Sequence, residues 1–123
     1  MDQKPLILIV EDTEEHSVLF IKILNHFGYA NALEQTGQGA LDFCEKTVPR
    51  LILMDIALPD MSGTQVMQHL KAKPHFKTVP IIAISAHPKE RIQEENSTEL
   101  FDDYLSKPFT IEEFIEKIKK HLS

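Results

Sequence analysis

Leu51-Ile52-Leu53-Met54-Asp55 is the stretch that decides the fold. Four apolar residues in succession describe a strand buried on both faces, where a strand with one wet face would alternate. The run ends on a carboxylate. The next residues, Ala57-Leu58-Pro59-Asp60-Met61-Ser62-Gly63, carry the Pro and Gly of a loop. Asp55 therefore stands where a buried strand opens toward solvent, which is where open α/β sheets bind ligands.

The same pattern stands on both sides of this stretch. Upstream, Pro5 opens Leu6-Ile7-Leu8-Ile9-Val10, and this run too ends in acid, Glu11-Asp12. Downstream, Pro80 introduces Ile81-Ile82-Ala83-Ile84, which ends on the hydroxyl of Ser85. Two weaker strands complete the set: Ala30 to Glu34, and Asp103-Tyr104-Leu105-Ser106 followed by Lys107-Pro108.

Helical periodicity fills the intervals. Residues 13–27 turn Phe20, Ile23, Leu24 and Phe27 inward and stop at Gly28, a C-cap, with Val18 and Ile21 left outside that stripe. Residues 38–46 pack Ala40, Leu41 and Cys44. Residues 63–71 pack Val66, Met67 and Leu70, and 73–78 form a polar connection. Residues 88–99, with Ile92 the only apolar side chain, predict a short and poorly anchored fourth helix. The last helix is the most explicit. Thr110 and Glu113 form a capping box, Phe109 and Phe114 a hydrophobic staple, and Ile111, Phe114, Ile115, Ile118 and Leu122 an apolar face.

Strands that alternate with helices five times must run parallel, because each connection carries a helix. The expected fold is an α/β sheet of five parallel strands with five helices. At 123 residues this is one domain, spanning 1–123, large enough to bury a core without staples. The 42% hydrophobic and 26% charged content is globular, and no apolar run approaches the roughly 20 residues of a membrane span. The amino terminus has no signal-peptide architecture, and the single cysteine, Cys44, fits a reducing compartment, so a cytoplasmic location is expected. A net charge of -6 disfavours direct nucleic-acid binding, which calls for a basic face.

In a parallel sheet every strand ends on the same edge, so Glu11, Asp12, Asp55, Ser85 and Lys107 gather there. Three carboxylates that close repel one another, which raises a pKa or demands a cation. An all-oxygen cluster with open positions suits Mg²⁺ better than zinc. A carboxylate can also attack phosphorus to form an acyl phosphate, with a metal, a lysine and a hydroxyl sharing the charge of the transferred group. Singly, each residue has an ordinary structural reading: Asp12 as an N-cap, Asp55 and Asp60 as turn residues, Ser85 as a loop hydroxyl, Lys107 as a solvated charge. A polar group at the end of each of four strands is what favours a site. The six histidines show no metal-ligand spacing on any one helix and are read as solvated or structural.

With these residues in place, the chain resembles the receiver domain of two-component response regulators, the CheY-like superfamily. The matching pieces are Val10-Glu11-Asp12, Leu53-Met54-Asp55 with Pro59 and Gly63, Ile84-Ser85-Ala86, and Tyr104-Leu105-Ser106-Lys107-Pro108-Phe109. The resemblance implies a doubly wound, flavodoxin-like sheet in the order 2-1-3-4-5. It implies Asp55 as phosphoacceptor, fed by a sensor histidine kinase or a histidine phosphotransfer protein. Asp12, Asp55 and the backbone carbonyl of Ala57 would ligate Mg²⁺ directly, and Glu11 through a water. Lys107 would pair with the phosphoryl oxygens and form a cis peptide with Pro108, and Ser85 and Tyr104 resemble the switch pair that repacks the face of the fourth helix, fifth strand and fifth helix for a downstream partner. The expected activity is limited to the domain's own phosphotransfer and self-dephosphorylation, without an enzyme's turnover.

The sequence also departs from the family. Receivers usually carry Gly-Ala before the fifth strand, where this chain has Leu100-Phe101, and Ala57 and His87 resemble the positions that tune phosphoryl lifetime by shaping water access. Val18 and Ile21, with the loop after Lys107, offer an apolar patch for the helical bundle that presents a phosphohistidine, although scattered surface hydrophobics would look the same. Rival functions fit less well. A dehalogenase-type phosphatase needs a second Asp where Ala57 stands, and a flavodoxin-type binder would have its phosphate repelled by Asp12-Thr13-Glu14-Glu15. A phosphorylation-silent interaction domain of the same fold is the remaining alternative.

Overall fold

β3 (Leu51–Asp55) is buried at all five positions and forms the centre of the sheet. The computed structural model describes residues 5–86 and 101–122. Within them, β1 (Leu6–Val10), β2 (Ala30–Glu34), β4 (Ile81–Ser85) and β5 (Asp103–Ser106) join β3 in the order β2-β1-β3-β4-β5, and every pairing is parallel. The parallel pairing is the one expected from strands that alternate with helices, and the doubly wound order is the one the family resemblance implies.

The period of two along each strand sorts the core into two halves. Leu8, Val10, Ile52, Met54, Ile81 and Ala83 face one layer, where they meet α2 (Gly37–Lys46) and α3 (Gly63–Lys71). Ile7, Ile9, Leu51, Leu53, Ile82 and Ile84 face the other, where they meet α1 (Glu14–His26) and the C-terminal helix (Ile111–Leu122). Among the described residues there are four α-helices and one 3-10 turn, Pro74–Phe76. The helix expected over 88–99 lies outside the described residues, as do His87 and Leu100. No described helix is long and apolar enough to cross a membrane.

The structure corrects the sequence at four apolar positions. Phe27 is 43% exposed because α1 has already ended there, with Gly28 at φ 81° turning the chain away. Ile111, the first residue of its helix, is 52% exposed. Ile21, expected on the surface, is partly buried against the second core half. Phe76, within the stretch expected to be a polar connection, is fully buried, because the 3-10 turn folds its ring under α3 and β4.

The C-terminal helix starts as its sequence dictates. The Thr110 N–H donates to Glu113 Oε1 at 2.8 Å, and the Glu113 N–H donates to Thr110 Oγ1 at 3.0 Å. Phe109 and Phe114 stack with centroids 5.4 Å apart, the staple that fixes how the chain enters the helix.

Candidate functional site

Each acidic residue is delivered by the end of a strand. Glu11 follows β1, extends its ladder by donating its N–H to the Glu34 carbonyl at 3.0 Å, and is almost fully buried. Its Oε2 accepts from the Thr13 N–H at 3.1 Å. Asp12 is exposed beside it. Asp55 closes β3, 7% exposed, and its Oδ1 accepts the Ala57 N–H at 3.0 Å, an Asx turn that starts the loop. Glu11, Asp12 and Asp55 each offer an oxygen within 4.8 Å of the others.

The loop after Asp55 is fastened at several points. The Gly63 N–H donates to the Ile56 carbonyl at 2.8 Å, and a side chain at Gly63 would run into the Asp55 carbonyl, so only glycine lets α3 start this close to the strand. Ser62 and Gln65 form a reciprocal capping box at the start of α3. At the tip, Asp60 accepts from the N–H groups of Gly37 and Gln38 at 2.8 and 2.9 Å, capping α2. Those bonds hold its carboxyl below the usual range.

Lys107 enters from β5. Its N–H donates to the Ser85 carbonyl at 2.9 Å, and the Lys107-Pro108 peptide is cis. The ammonium lies 3.2 Å from Glu11 Oε1 and 3.6 Å from Asp55 Oδ2. Burial, then the neighbouring Glu11 carboxyl, pushes Asp55 up to about 6, against the Ala57 N–H and Lys107, which pull it down.

A divalent hard cation fits this donor set. The three carboxylates converge, all the donors are oxygens, and burial with the adjacent Glu11 carboxyl holds Asp55 above the usual carboxylate range, a penalty that a bound cation would offset. Ser85 is buried at the end of β4, next to β5, where it pairs with Ser106. Tyr104 sits opposite Ala83 and packs against Phe101, ring centroids 6.0 Å apart. Phe101, where the family usually has a small residue, thus fills space beside the expected switch aromatic.

One residue of the site escaped sequence reasoning. His16, in the first turn of α1, places Nδ1 2.9 Å from the Lys107 ammonium. Its only signal was position, four residues after Asp12, and the absence of metal-ligand spacing gave no reason to look there. Beside it, His16, Leu19, Phe20, Lys107, Pro108 and Phe109 line a cavity of about 410 Å³. The exposed apolar residues of α1 here are Val18 and Leu19, not the expected pair Val18 and Ile21.

The response regulator receiver domain model matches residues 7–119. The polar-differentiation response regulator DivK of Brucella ovis is 36% identical over 116 residues, 94% of each chain. Among solved structures, the signal receiver domain of a signal transduction histidine kinase from Syntrophus aciditrophicus is 30% identical with a TM-score of 0.87, covering 96% of this chain and 89% of that one. The receiver domain of a sensor histidine kinase from Pseudomonas aeruginosa is 29% identical with a TM-score of 0.89 over 98% of each chain, and has a magnesium ion coordinated in its active site cleft.

Proposed function

The chain belongs to the response regulator receiver domain family, and from that membership we propose that it takes a phosphoryl group onto Asp55 from a phosphohistidine of a sensor kinase or phosphotransfer protein. The observation that carries this reading is the convergence of Glu11, Asp12, Asp55 and Lys107 at one end of the sheet. A carboxylate oxygen of Asp55 attacks phosphorus, the P–N bond of the donor breaks, the imidazole leaves with the electron pair, and an acyl phosphate remains. Lys107, already 3.6 Å from Asp55, offers its ammonium to the phosphoryl oxygens as their charge shifts.

Asp12, Asp55 and the Ala57 carbonyl would hold Mg²⁺, with Glu11 acting through a water. When bound there, the ion supplies positive charge that offsets the carboxylates and the phosphoryl oxygens. Hydrolysis of the acyl phosphate returns the domain to its starting state, so the chemistry is confined to its own phosphorylation and dephosphorylation.

The switch follows from packing. A phosphoryl group adds charge and three acceptors at the sheet edge, which draws the Ser85 hydroxyl and frees room behind it for Tyr104 to turn inward. Tyr104 starts against Phe101, so this movement repacks the face of β5 and the C-terminal helix, where a downstream partner reads the state. The donor docks on Val18 and Leu19 of α1 together with Pro108 and Phe109.

Borohydride trapping tests the site. After incubation with a small phosphodonor and Mg²⁺, reduction of the acyl phosphate and peptide mapping should place the modification on Asp55. Modification at another carboxylate would refute the assignment.

A further inference from the structure

We propose that His16 is a positioning residue for Lys107, holding its ammonium at the place where phosphoryl transfer needs it; the inference rests on Asp55 being the phosphoacceptor. An ammonium has three protons to give and no lone pair. Lys107 Nζ faces three acceptors: His16 Nδ1 at 2.9 Å, Glu11 Oε1 at 3.2 Å and Asp55 Oδ2 at 3.6 Å. The Nδ1 atom must therefore present its lone pair, and the ring proton sits on Nε2.

The three acceptors differ in what phosphorylation does to them. Asp55 loses its carboxylate when it becomes an acyl phosphate, and Glu11 would be engaged, through a water, by the cation that its cluster fits. His16 is the member that the reaction leaves intact. Its mount is firm. The ring lies 6.4 Å from Phe20, and Phe20 is buried and stacked on both Phe109 and Phe114, at 5.7 and 5.3 Å. A lysine stem has four rotatable bonds, so an acceptor fixed to a helix restricts where its charge can stand.

The kinetic consequence separates this role from others. Gain and loss of the phosphoryl group pass through transition states with similar charge on the equatorial oxygens, and the Lys107 ammonium acts on that charge in both. Loosening Lys107 slows both by one factor. A role for His16 in docking a donor, or in admitting water, would change one rate alone.

The experiment uses acetyl phosphate with Mg²⁺ to measure phosphoryl uptake, and decay after its removal, in the wild type, His16→Leu and His16→Asn. His16→Leu should slow both rates by a common factor of roughly three to ten. His16→Asn, whose Oδ1 falls where Nδ1 stood, should restore both. In the metal-free protein, long-range ¹H–¹⁵N NMR should find the His16 ring proton on Nε2 and an Nδ1 signal that moves in Lys107→Met. A change in one rate alone, no change in either, failure of Asn to restore them, or an Nδ1 signal indifferent to Lys107→Met would overturn the proposal. A wild type that takes up no phosphoryl group would refute the functional reading instead, and the NMR result would still decide whether His16 holds Lys107.

Discussion

At Asp55 two effects of the fold oppose ionisation, burial first and the adjacent Glu11 carboxyl second, and together they place the acid at about 6 against an unfolded value of 3.8. Between those two values the folded protein binds more protons than the unfolded chain, so stability falls as pH rises across that window and levels off above it. Asp55→Asn removes the penalty on the charged form. In metal-free protein, the variant should gain on the wild type by on the order of 1–3 kcal/mol as pH is raised from 4 to 7.5. Urea unfolding at the two pH values measures this, and a pH-independent difference would contradict it. The same charge imbalance predicts that Mg²⁺ raises the melting temperature of the wild type at neutral pH. Asp12→Asn, at an exposed position, should leave the metal-free melting temperature within about 2 °C and abolish most of the Mg²⁺-dependent rise. That Asp12, Asp55 and Lys107 gather at one edge was legible in the sequence because each stands at the end of an expected parallel strand. His16 was not, since its partner lies 91 residues away and local spacing carries no trace of the contact.

Among the elements, β5 and the C-terminal helix are held together by charge as well as by packing. Asp103 lies 2.8 Å from Lys117 Nζ and 2.9 Å from His121 Nε2. Burial would raise its carboxyl, but the Lys117 and His121 bonds and the Tyr104 N–H outweigh that and bring it to about 2. A depressed folded pKa gives stability that is present above 3.8 and lost as pH falls toward 2. Asp103→Asn should therefore cost about 1 kcal/mol at pH 7, after allowing for solvent screening of a partly exposed cluster, and less as pH approaches 2. Equal urea midpoints at pH 7 would contradict this. The bounds of β2, β3, α3 and β5 followed from sequence because their ends are marked by Gly, Pro or acid. Apart from Ile21 in the middle of α1, the errors fell at element termini and in a connection. Phe27 and Ile111 share their helices' apolar period but lie where the helix has ended or only begun, and Phe76 is buried by a turn that periodicity cannot reveal.

Over the whole molecule, the two core halves fix the sheet so that the ends of β1, β3, β4 and β5 meet at one edge. The class of fold followed from the runs of apolar residues. The strand order came from resemblance, because periodicity cannot say which strands are neighbours. The docking surface was half legible: Val18 is exposed as expected, while Ile21 turns partly into the core and Leu19 takes its place. Replacing Val18 and Leu19 together with Lys should slow transfer from a cognate kinase at least ten-fold more than transfer from a small phosphodonor, as loss of an apolar contact surface predicts. Equal slowing with both donors would move the docking site elsewhere. The most direct test of the central claim is the intact mass of the protein after brief incubation with a small phosphodonor and Mg²⁺, beside Asp55→Asn and an EDTA control. A working receiver gains one phosphoryl group that both controls lack. No adduct at any time, including times too short for hydrolysis to hide one, would contradict it and leave a domain that acts by binding alone.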